Sequence, residues 1–115
     1  MSSKVFIVQE NPSVNVMPAA RFGELDVIFP FGSQIVFSSN LAVNAVRKKL
    51  KDFTDEDYIL AMGDPAAIAI TAMVAGEINN GYMKLLKWDK QTKAYYSVSI
   101  DLFGRKEKDN VNWDI

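Results

Sequence analysis

The sequence predicts an α/β domain: a mixed, mainly parallel sheet with two main helices and a C-terminal β-hairpin. Three observations carry this. Two unbroken apolar runs, Val5–Val8 and Tyr58–Met62, suit strands covered on both faces, as parallel strands are. An apolar helical stretch, Pro65–Asn79, separates the second run from a further strand, Tyr82–Trp88. A strand–helix–strand unit of this kind closes right-handed with its strands parallel. Beyond the loop Asp89–Lys93, Tyr96, Val98, Ile100 and Leu102 alternate with Tyr95, Ser97, Ser99 and Asp101. Such alternation marks an antiparallel strand with one wet face, at or near a sheet edge.

In chain order, Val5–Val8 is the first strand. The stretch from Gln9 to Ala20 holds two prolines and little periodicity, which reads as a loop. Leu25–Phe29 is the second strand, Pro30-Phe31-Gly32-Ser33 a turn, and Gln34–Ser38 a third short strand. Ser39 or Asn40 can cap a helix from Leu41 to about Phe53, with Ala42, Val43, Val46, Leu50 and Phe53 as its apolar stripe. Thr54-Asp55-Glu56 connects it to the central strand.

Gly63 lets the chain turn sharply into the next helix. Asp64 is its expected N-cap, and Pro65 stands where a missing N–H costs nothing. The helix is apolar nearly all round, with only Thr71 and Glu77 clearly polar. That predicts burial on most sides or a self-association surface, with Ile68 and Met73 as candidates. Asn80-Gly81 ends it, glycine favouring the left-handed exit. The domain is expected over residues 1–103. Residues 104–115 read as a charged tail with apolar anchors Val111, Trp113 and Ile115, Trp113 being a third interface candidate.

At 115 residues the chain has room for one domain and a real core. A net charge of −1 provides no field drawing it to nucleic acid or membrane. Without Cys there are no disulfides, thiolate nucleophiles or soft metal sites. Without His the commonest acid–base group and metal ligand is missing. No cofactor and no metal are expected, and enzyme is the least favoured class. Met1-Ser2-Ser3-Lys4 leads straight into a strand with no leader pattern, so a cytoplasmic protein is the expectation.

Ligands of open α/β sheets bind outside the carboxyl ends of the strands. If the first, central and following strands are parallel, Gln9, Asn11, Gly63, Asp64, Lys87 and Trp88 meet there. Their amides, carboxylate and indole suit a nucleoside or peptide better than bare phosphate. The glycine-rich spacing of phosphate loops is absent, and Asp64 puts a negative charge where phosphate would sit. The basic run Arg47-Lys48-Lys49-Leu50-Lys51 is expected to be a solvated helix end. Asp55-Glu56-Asp57 lacks the spacing that converges on one cation. Trp88 and Tyr95 on the hairpin, with Lys84, Lys87, Lys90 and Lys93, would be the surface for single-stranded nucleic acid.

The segments KVFIVQENP, RFGELDVIFP, LKDFTDEDYILAMGDPAAIAI and KLLKWDKQTKAYYSVSIDL resemble small uncharacterised proteins of tailed bacteriophages, over most of residues 4–102. The resemblance implies a phage origin and a place in the host bacterial cytoplasm, and brings no activity with it. More faintly, Gly63-Asp64-Pro65, the helix and Trp88-Asp89 with Tyr95 are similar to halves of Rossmann-like nucleotide-sensing domains. The leading expectation is a non-enzymatic phage accessory protein that binds a host or phage protein, as a homo-oligomer. The alternatives are a small-molecule or nucleotide binder at the strand ends and a single-stranded nucleic-acid binder through the hairpin.

Overall fold

Val5, Phe6, Ile7 and Val8 are buried and form the middle of β1 (Lys4–Gln9) in the computed structural model, which describes residues 3–33 and 39–106. With no polar side chain among these four, β1 needs cover on both faces and a neighbour on each side. It has all of these. β2 (Glu24–Phe29) pairs parallel with it on one side, and β3 (Tyr58–Leu60) on the other. β4 (Tyr82–Asp89) pairs parallel with β3, and β5 (Ala94–Asp101) antiparallel with β4, giving the order β2-β1-β3-β4-β5. This is the mixed, mainly parallel sheet with a terminal hairpin that the sequence predicts.

One face is covered by α1 (Ser39–Lys49) and α2 (Pro65–Ile78). Val46, Leu50, Ala67, Val74 and Ala75 pack there on Phe6, Val8, Ile59 and Met83. The other face carries a 3-10 helix, Met17–Phe22. It brings Ala19 and Phe22 onto Val5, Ile7, Leu60 and Leu86. The sequence reading took this stretch for loop. Pro18 in the first turn and buried Ala19 start and anchor a helix too short to show a period.

Three further differences have local causes. α1 ends at Lys49 rather than Phe53, and Leu50 and Phe53 continue as bonded turns that still fill the core. β3 stops at Leu60, because Met62 N turns back to Leu60 O. On β5, Tyr95 is buried and Tyr96, Ile100 and Leu102 are exposed, against the simple alternation. Tyr96, Val98 and Ile100 do pair with the α2-facing residues Lys87, Leu85 and Met83, but on the edge strand they are left half-buried or exposed. Tyr95 shares the opposite face with Leu86 and is sealed there. The expected strand Gln34–Ser38, the Ser39 side chain and the anchors Val111, Trp113 and Ile115 lie outside the described residues.

The β3–α2 turn is built as expected. Gly63 has φ +112°, and a Cβ there would stand 2.7 Å from Gln9 Oε1 and closer still to Gln9 Cβ. Asp64 caps α2 by accepting from Ala66 N at 2.7 Å, with Pro65 in the first turn. At the far end Gly81 N donates to Gly76 O at 2.7 Å, with Asn80 at φ 57°, a Schellman closure. Gly63→Ala is expected to cost about 2–3 kcal/mol of unfolding free energy in urea titrations, through backbone strain and displacement of Gln9. Gly76→Ala, inside α2 with open space around it, should instead stabilise by about 0.5–1 kcal/mol.

Candidate functional site

The carboxyl ends of β1, β3 and β4 open on the same edge, so the six expected site residues share one end of the molecule. Five of them divide into two groups, and Asn11 joins neither. Gln9, Gly63 and Asp64 meet where β1 adjoins β3. Gln9 Oε1 accepts from Asp64 N at 2.7 Å, its Nε2 donates to Ser33 O at 3.2 Å, and its main-chain N donates to Met62 O at 3.1 Å. The carboxamide is therefore spent on tying two loops together. Asp64 is spent on its helix. Asn11 turns away from both, its Oδ1 accepting from Ser13 N at 3.0 Å in a local turn.

Lys87 and Trp88 belong to a separate cavity one strand further on. Its volume is about 830 Å³, within the range of small-molecule sites. Leu60 and Leu86 line it, Val14 and Asn15 contribute from the segment leading into the 3-10 helix, Pro18 from its first turn, and Trp88 and Tyr95 from the hairpin. The two rings meet edge to face, centroids 4.9 Å apart at 68°, the geometry favoured by ring quadrupoles. Burial pushes the Tyr95 hydroxyl above its ordinary pKa, so it stays a neutral donor. Asn15 Oδ1 accepts from Met17 N at 3.1 Å, which leaves its amide N–H groups free to donate. Asn15 was missed in the sequence because its segment reads as loop, and Tyr95, expected exposed for base stacking, is instead a buried wall of this cavity.

The charged runs are paired in part. Arg47 binds Glu77, and Lys49 binds Asp26 at 2.7 Å. Lys4 reaches the same Asp26 at 3.4 Å. Burial raises the Asp26 pKa, but Lys49 and Lys4 outweigh it and hold the carboxyl below its ordinary value. Lys48 and Lys51 rim a second cavity, of about 910 Å³, together with Asp52, Glu56 and Asp57. In the acidic run, Asp55 and Asp57 diverge. Asp57 Oδ1 accepts from Lys4 N and its Oδ2 from Thr54 N, both at 2.9 Å, while Asp55 faces Asn79 and Lys106. Among the described residues no group of three or more acidic side chains is placed to hold a metal ion. On the hairpin, buried Tyr95 offers no ring face for a base, and Lys84 lies 4.1 Å from the centroid of the Tyr58 ring.

α2 is not covered all round. Thr71, one of its two clearly polar residues, is fully buried with its hydroxyl donating to Ala67 O at 2.8 Å. Met73 is 76% exposed. Ile68 is half-buried against the core, and Trp113 lies outside the described residues. Beside Met73, a groove of about 400 Å³ runs between Ala72–Glu77 and the exposed pair Leu102 and Phe103. With Tyr96 and Ile100, these residues put exposed apolar side chains on α2 and along and beyond β5.

A family model described as Phage Pam3 gp32-like protein matches residues 3–102. The chain belongs to this phage protein family. The match spans the whole sheet and both main helices, and agrees with the phage resemblance of residues 4–102. It names no activity and no partner. Comparison with curated proteins and with solved structures finds no match. No helix among the described residues is long and apolar enough to cross a membrane.

The residues just past the matched span are tied back by one carboxylate. Asp55 takes Lys106 Nζ at 2.7 Å, Asn79 Nδ2 at 2.8 Å and Arg105 Nη2 at 3.5 Å. The Lys106 and Asn79 bonds and the nearby Arg105 charge hold it below the ordinary carboxylate pKa, against a smaller opposing effect of burial. A folded-state pKa below the unfolded one adds stability that is present above the ordinary carboxylate range and lost as pH falls through the lowered value. The urea midpoint should therefore drop on acidification below about pH 4. Asp55→Asn should flatten that drop, with the shares due to Asp26, Asp89 and Asp101 remaining. An unchanged acid limb in Asp55→Asn would remove this role.

Proposed function

We propose that this phage protein is a non-enzymatic accessory protein of the host bacterial cytoplasm that works by binding a host or phage protein. The observation that carries this is the exposed apolar surface of α2 and the β5 end: Met73 is 76%, Leu102 70% and Phe103 72% exposed, around one groove. Scattered apolar exposure is ordinary, but a grouped patch on a small domain marks a contact surface. The test is capture from an infected or expressing bacterial host, read by native mass spectrometry. Met73→Glu should abolish capture of the partner without changing thermal unfolding. Lys51→Glu, at the amino end of the sheet, should leave capture intact. Equal capture by both variants would overturn the reading.

The 830 Å³ cavity favours a second reading, a small-molecule site. Its apolar lining, Trp88 and the donors Asn15 and Tyr95 suit a flat, acceptor-bearing ring. Adenosine is a suitable probe. Its saturable binding should quench Trp88 fluorescence and be weakened at least tenfold by Trp88→Ala. Asp64→Ala, which only uncaps α2, should cost about 1 kcal/mol of stability and leave binding unchanged. No saturable response up to millimolar adenosine would count against a nucleoside-like ligand.

A further inference from the structure

The two edges of the sheet differ in how they meet solvent. β2 carries Glu24 and Asp26, and Asp26 binds two lysines. Charges of this kind keep an edge from pairing with other strands. β5 runs eight residues, AYYSVSID, with no proline, no bulge in its pairing with β4, and no charge before Asp101. Lacking those protections, it is built as an edge that can accept another strand.

The hydrogen-bonding sense of β5 follows from its end. Leu102 N donates to Gly81 O at 3.0 Å, toward β4. In an unbroken antiparallel ladder the sense alternates, so Ala94, Tyr96, Val98 and Ile100 also point to β4. Tyr95, Ser97, Ser99 and Asp101 point outward. Arg21 agrees with this, since its Nη2 reaches the Tyr95 carbonyl at 3.1 Å from another element. The Asp101 carbonyl is taken by Gly104 N. Ser97 and Ser99 are thus the outward pair with both main-chain groups open, and both residues are exposed.

We propose that the partner of this edge is a second copy of the chain, with the two β5 strands antiparallel about a two-fold axis at Val98. That register sets Ser97 opposite Ser99 of the other copy, twice, so the open groups satisfy one another. On the α2 side it sets Val98 against Val98 and Tyr96 against Ile100, aromatic and β-branched pairs that stabilise sheets. The two five-stranded sheets become one continuous sheet. A foreign strand would find the same open groups but not this repeated match. The inference shares with the proposed function the premise that the α2–β5 side is an interface, yet it uses the strand edge and not Met73.

The test uses the full chain and its lack of cysteine. Native mass spectrometry at micromolar concentration should give twice the chain mass. Among Ser97→Cys, Val98→Cys and Ser99→Cys, the Val98 variant should form an interchain disulfide at least tenfold faster under mild oxidation. Val98→Lys, which puts like charges opposite each other, should give the single-chain mass with thermal unfolding intact. If Val98→Lys fails to fold, Ser99→Pro decides: its lost N–H points outward, so it should weaken association at least tenfold and leave the β4–β5 hairpin in place. A monomer at all concentrations, or cross-linking no faster at 98 than at 97 and 99, overturns the proposal. A monomer that still shows Met73-dependent capture overturns this inference alone, and a dimer that captures nothing overturns only the partner reading.

Discussion

Complete burial of β1 is the constraint from which the other elements take their places. Val5 and Val8 have no exposed surface, and Phe6 and Ile7 almost none. The neighbouring strands pair its main-chain groups, each of which would cost about 1–3 kcal/mol if buried without a partner. Two side chains tie its less buried ends to the adjoining loops. At the amino end Asp57 accepts from Lys4 N and from the loop before β3. At the carboxyl end Gln9 joins the β3–α2 turn to the turn after β2. Asp57 ties β1 to the loop before β3, and Gln9 joins the turns after β2 and β3, so the two central strands are held together at both ends.

The same arrangement decides where open space lies. In doubly wound sheets the crevice beside the switch in strand order is the usual ligand position. Here β2 lies on one side of β1 and β3 on the other, so that crevice is at Gln9. Its carboxamide occupies it, and Gly63 is free of a Cβ because Gln9 is there. The cavity lies instead over the β3 and β4 ends. A six-residue 3-10 helix is about 12 Å long, too short to cover the whole face opposite α1 and α2. Beyond its reach a cavity stays open between residues 14–18 and the hairpin, with Leu60 and Leu86 in its wall.

The fold class was legible because burial on two faces and burial on one leave different patterns, and both kinds of strand are present. The turn chemistry of Gly63-Asp64-Pro65 was legible for the same local reason: each residue has one conformational use there. What could not be read was the assignment of faces at the periphery. On β5, alternation shows which residues share a side but not how far α2 reaches across it. Tyr95 and Tyr96 are chemically alike, and only the 3-10 helix beneath the sheet decides which is buried. The site residues divide similarly. Their common edge follows from parallel strands, but the capture of Gln9 by the Asp64 amide depends on distances across 55 positions of chain.

α2 shows why the outer surface carries the functional argument. Its sequence is apolar on more sides than one sheet can cover. The side against the sheet takes Ala67, Val74 and Ala75, and even accepts Thr71, whose hydroxyl is satisfied by the helix backbone. Small residues let the helix lie close to the strands, so little of its circumference is needed for the core. Met73 is then left over, on the side that meets Leu102 and Phe103. Each square ångström of apolar surface left in water forgoes roughly 25 cal/mol of stabilisation. Charged residues would have served this chain's solubility better at those positions, as they do on α1, where Arg47, Lys48 and Lys49 face solvent. The contrast between the charged last turn of α1 and the apolar middle of α2 separates a surface suited to water from one suited to contact.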